Sequence, residues 1–107
     1  MFQAVRAISL SENEHIRHRI NDIYSDFVKF VDPKGFIMDY LIQNRIVSEE
    51  LAEQLCGIAT RQERCRAMLH ELLNSGKPRA FVILRKALEE HHDFIVHMID
   101  KATTGAF

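Results

Sequence analysis

Six histidines, two cysteines and fifteen carboxylates are the side chains with which this 107-residue sequence could do chemistry, and their spacing decides whether they can act together. His15 and His18 share a helix face at i, i+3, and His91, His92 and His97 lie near a helix start, as metal-ligating imidazoles would. No acidic or cysteine partner stands at a ligand spacing beside them, and H-E-x-x-H is missing. Solvated or capping histidines are therefore expected, with no metal and no cofactor. Cys65 falls on an apolar helical stripe, where a thiol serves as a small hydrophobe and not as a nucleophile, and Cys56 is read the same way. The adjacent carboxylates Glu49-Glu50 and Glu89-Glu90 diverge by about 100° on a helix, too far round to share a proton. Gly76-Lys77 looks like the end of a phosphate loop, but Glu71 stands where the first glycine belongs and Pro78 replaces the hydroxyl residue. No catalytic residue is expected, and the chain is not read as an enzyme.

Charge is more informative than any single group. Fourteen Lys and Arg against fifteen Asp and Glu give a formal net charge of −1, which argues against a surface built throughout for phosphates or anionic lipid. Divided along the chain the balance is uneven. Residues 61–86 hold seven basic side chains (Arg61, Arg64, Arg66, Lys77, Arg79, Arg85, Lys86) against Glu63 and Glu71, a local +5 that leaves −6 for the remainder. Arg61, Arg64 and, a little further round, Arg66 can line one side of a helix beyond its cap. Arginines early in a helix oppose its dipole, so helix stability does not explain them. An electrostatic docking patch does.

These groups must be positioned by helices. Four glycines and two prolines leave few places to turn, and no run alternates apolar and polar residues long enough for a strand. From Ser11, a capping box with Glu14, the stripe Ile16, Ile20, Ile23, Phe27, Phe30 predicts a first helix. Asp32-Pro33 interrupts it. A second helix is expected over Pro33–Arg45, apolar on most sides and so central to the core. Ser48 caps a third with Leu51, Leu55 and Ile58 inward, and Thr60 with Glu63 opens a fourth that buries Cys65, Met68, Leu69, Leu72 and Leu73. Pro78 suits a first helical position ahead of Ala80, Phe81, Leu84 and Leu88, and a last helix would bury Phe94, Ile95, Met98 and Ile99. Thr103 to Ala106 carry no pattern. Short connections predict antiparallel neighbours in an all-α bundle of five or six helices. With 47 % hydrophobic residues one packed core is expected, over residues 11–101, with 1–10 an extension and 102–107 a frayed tail or the start of a linker. Neither a secretion signal nor a bilayer-spanning stretch is present, and two cysteines without a disulfide framework suit a reduced, cytoplasmic setting.

Four segments carry a resemblance. Phe36-Ile37-Met38-Asp39-Tyr40-Leu41-Ile42, Arg45-Ile46-Val47-Ser48-Glu49-Glu50, the run Thr60 to Leu69, and Gly76 through Leu88 resemble the second to fifth helices of the caspase recruitment domain (CARD) of the death-fold superfamily, over about Glu12 to Asp100. The apoptosome scaffold, adaptor and initiator-caspase members look similar. The resemblance implies a six-helix antiparallel Greek-key bundle whose first helix is bent or broken. It further implies homotypic binding, in apoptotic or inflammatory signalling, to another CARD on a caspase, adaptor or scaffold, with self-association open. A basic surface would comprise Arg17 and Arg19 of the first helix with Arg61, Arg64 and Arg66 of the fourth. An acidic one would comprise Asp39 of the second helix with Glu49, Glu50 and Glu53 of the third. The chain departs from the family at Asn74-Ser75-Gly76-Lys77-Pro78-Arg79, where Arg-Gly or Lys-Gly is common. A rival reading makes residues 61–86 a nucleic-acid-binding face, though acidic segments flank it and no exposed aromatic interleaves the basic residues. No membrane partner is expected.

Overall fold

The computed structural model describes residues 11–105, so the N-terminal extension expected over 1–10 lies outside the described residues. Among the described residues the chain is all-helical: α1 (Glu12–Asp22), α2 (Tyr24–Phe30), α3 (Phe36–Gln43), α4 (Glu49–Cys56), α5 (Arg61–Ser75), α6 (Ala80–His91) and α7 (Asp93–Gly105). Seven helices stand where six were expected because the first is broken at Ile23 (φ −109°, ψ 26°), which ends α1 and starts α2. The break splits one apolar stripe between two destinations. Ile16 and Ile20 carry α1 against α6 and α7, while Phe27 and Val28 carry α2 against α5 and α7.

Three helix starts are as their sequences predict. The hydroxyls of Ser11, Ser48 and Thr60 accept from the backbone N–H of Glu14, Leu51 and Glu63 at 3.2, 3.0 and 3.1 Å, which satisfies donors that a helix start leaves open. Two starts differ. α3 begins at Phe36 and not at Pro33, because the Asp32 carboxylate accepts from Lys34 N–H (3.1 Å) and Gly35 takes φ +77°, a left-handed geometry that sets the entry angle. α6 begins at Ala80, with Pro78 in the preceding turn and no cap from Arg79. Its cap arrives from elsewhere in the fold: Asn13 Oδ1 of α1 accepts from both Phe81 N–H (2.6 Å) and Val82 N–H (3.1 Å).

That bond places α1 on the true centre of the bundle. The central helix is α6, which packs on α1, α3, α5 and α7 and buries Ala80, Phe81, Ile83, Leu84, Ala87 and Leu88. α3, expected to be central, touches only α4 and α6, and its Phe36 stays exposed. α2 and α3, consecutive in the chain, do not pack together, which is the interleaving of a Greek key and not of an up-and-down bundle. Three apolar residues expected in the core lie outside it: Phe30, Leu73 and Phe94 are 49, 51 and 62 % exposed. Phe30 and Phe94 sit at the end of α2 and the start of α7, where the stripe outruns the neighbouring helices, and meet edge to face at 6.0 Å. At the far end the backbone of α7 stays helical to Gly105, beyond the residue-101 boundary and through part of the segment expected to be a tail. Among the described residues no helix is long and apolar enough to cross a membrane.

Candidate functional site

The five arginines expected on a basic surface are put to three different uses. Arg61 is half-buried and turns inward: its Nη1 donates to the carbonyls of Val28 (3.3 Å) and Val31 (3.1 Å) at the C-terminal end of α2. A cation there satisfies oxygens the helix leaves open and meets the negative end of its dipole. Arg64 folds back over its own N-terminal turn, Nη1 donating to Ile58 O (2.7 Å) and Ala59 O (3.5 Å), and its Nε is buried without a partner. Arg66 points outward. It shares a groove of about 190 Å³ with Arg17 of α1, walled by Tyr24, Leu69, His70 and Leu73. Arg19, half-buried, does not line that groove.

α1 and α5 both pack on α6, and this shared neighbour brings Arg17 and Arg66 to one groove. Asn13, fixed to α6, stands one turn before Arg17 on the same face, so the cap that starts α6 also sets where Arg17 sits. Near the rim His70 is tied to Asn74, their ring Nε2 and amide Nδ2 at 2.9 Å.

The expected acidic residues all meet in one place. Asp39 of α3 and Glu49, Glu50 and Glu53 of α4 line a single open cleft with Met38, Ile42 and Cys56, and all four carboxylates are exposed. The Ser48 cap produces this geometry, since it starts α4 where its first turn faces α3 and places two acids at the positive end of the helix.

Several charges elsewhere are occupied within the fold. Arg85 forms a two-pronged bond with Asp100 (3.0 and 2.6 Å) and a third contact with Glu89 (2.7 Å), which ties α6 to α7 and pushes its own pKa up, chiefly through the Asp100 bond. Lys77 Nζ donates to Arg45 O (2.9 Å) and Ile46 O (3.3 Å), pinning a turn in which Arg45 takes φ +62°. Four of the seven basic residues of 61–86 thus grip their own chain, leaving Arg66, Arg79 and Lys86 exposed.

The Cys65 thiol is buried against Phe27 O (3.9 Å), and burial pushes its pKa up to about 12, so it stays protonated. His92, between α6 and α7, has its pKa lowered by burial and by neighbouring His91, and its Nε2 accepts a long bond from Asp32 N–H (3.5 Å). His91 meets the Phe36 ring edge-on. Among the described residues no three His, Cys, Asp or Glu side chains converge as a metal site. Sequence reasoning missed Asn13, Tyr24 and His70, because a polar residue within a helix carries no sign of the distant helix it faces.

Residues 12–102 match the family model of the caspase recruitment domain. No curated protein and no solved structure matches the chain.

Proposed function

Because the chain belongs to the caspase recruitment domain family, a family of homotypic protein-interaction modules in apoptotic and inflammatory signalling, we propose that it recruits another CARD through two complementary charged surfaces. The basic surface is the groove between Arg17 and Arg66, with Arg19 on the same helix as Arg17 but outside the groove, and Arg61 and Arg64 as the scaffold that holds its helices. The acidic surface is the cleft of Asp39, Glu49, Glu50 and Glu53. The observation that carries this reading is the gathering of all four acids, from two helices, on one cleft while the outward-facing arginine of α5 shares a groove with Arg17. Opposite patches steer encounter and set register, and affinity comes from the few pairs that lose water well. The partner is a CARD on an initiator caspase, an adaptor or an apoptosome-like scaffold, and the work is non-enzymatic and cytoplasmic. If both faces engage at once the contact is heterologous and propagates unless its rotation closes.

Arg66→Glu tests this. The side chain is exposed, so the variant should melt within about 2 °C of wild type, since surface changes of this kind cost within about 0.5 kcal/mol. It should also lose the CARD-containing proteins that wild type retains from a cell lysate, identified by mass spectrometry. A folded Arg66→Glu chain that still captures them removes the groove from the interface. Asp39→Arg tests the acidic cleft in the same way.

A further inference from the structure

The groove between Arg17 and Arg66 is more than a pair of charges. Much of its wall is carbon: beside the polar Asn21 and His70, Ile20, Leu69 and Phe81 line it, as do Leu73, 51 % exposed, and Tyr24, 38 % exposed. Leu73 lies on the apolar stripe of α5, where spacing alone would bury it, yet the fold leaves half of it uncovered on the groove that Arg17 and Arg66 also line. At about 190 Å³ the groove is smaller than the roughly 300–1,000 Å³ of small-molecule sites, so it fits a protruding side chain and not a cofactor.

We infer that this groove takes an aliphatic side chain flanked by carboxylates on a partner helix, with Leu73 and Tyr24 as the residues that set its specificity. The inference rests on the docking function proposed above and names the partner chemistry that function requires. Exposed ion pairs hold weakly by themselves, and an aliphatic residue seated on Leu73 would shed water around both arginine–carboxylate pairs. Charge complementarity selects an acidic partner, and the carbon between the charges selects among acidic partners.

Two synthetic amphipathic helical peptides serve as probes, each carrying glutamates at i and i+7 and differing only in leucine or glutamine at i+4. The full 107-residue chain is titrated with each, by fluorescence anisotropy at low and at physiological ionic strength. Wild type should bind the leucine peptide about tenfold more tightly than the glutamine peptide. Leu73→Gln should weaken the leucine peptide about tenfold and so erase that preference, and its exposure keeps the fold intact, checked by Tm. Equal affinity of wild type for both peptides, binding of neither, or a preference that survives Leu73→Gln would overturn the inference. So would indifference to the peptides combined with self-association that Leu73→Gln abolishes, which would make a second copy the occupant. Arg66→Glu separates the two claims: it should abolish both peptides. If it does so while Leu73→Gln changes nothing, only the specificity inference falls. If both peptides still bind Arg66→Glu, the docking surface itself falls.

Discussion

Arg61 and Arg66 are five residues apart on one helix and carry the same charge, yet one is part of the fold and the other faces outward. The difference is what lies within reach. Arg61 finds two carbonyls at the end of α2, while Arg66 finds a groove with a second arginine on it. Hydrogen bonds from a charged donor contribute about 1.5–3 kcal/mol, and partial exposure reduces this. Arg61→Ala should therefore cost about 1–2 kcal/mol, or roughly 5–10 °C in Tm, with the α2 amides exchanging faster than in wild type. An Arg61→Ala chain as stable as wild type, with α2 equally protected, would show that these bonds hold nothing. The contrast matters for reading any charge-reversal experiment here: lost binding at Arg61 would follow from a loosened α2, whereas lost binding at Arg66 would report on the proposed docking groove.

Three helices start where a hydroxyl precedes them, and a fourth, α6, takes its cap from elsewhere in the fold. Ser11, Ser48 and Thr60 are local caps, legible because donor and acceptor are three residues apart. Asn13 is not legible, because its partners are 68 and 69 residues away. Replacing a capping side chain with alanine costs about 0.5–2 kcal/mol, so Asn13→Ala should destabilise the bundle by about 1 kcal/mol and Asn13→Asp by less. Amide hydrogen exchange at Phe81 and Val82 should rise in Asn13→Ala. Unchanged protection there would mean that α6 does not depend on α1 for its start. The break at Ile23 belongs to the same scale: the four-three spacing of the apolar stripe runs straight through it, and only packing against different neighbours separates α1 from α2.

Over the whole molecule a net charge of −1 hides two separate surfaces. Of the +5 segment, Arg61, Arg64, Lys77 and Arg85 hold carbonyls or carboxylates of their own chain, so few donors remain to follow a phosphate backbone. Titration against duplex and single-stranded oligonucleotides at low salt should show no binding. Binding that weakens steeply with salt would instead restore the nucleic-acid reading.

Composition, apolar spacing and caps determined by themselves that this chain is all-helical, where most helices lie and which residues bear each sign of charge. Those properties depend on neighbours three or four residues away. Resemblance to the family was legible too, since it lies in contiguous segments. Only the tertiary structure decided that α6 and not α3 is central, that Phe30, Leu73 and Phe94 stay outside the core, and that Arg17 and Arg66 share a groove while Arg61 and Arg64 turn inward. Each of these depends on which helix lies opposite, and that is settled when several apolar faces compete for one core, not by the spacing within any one of them.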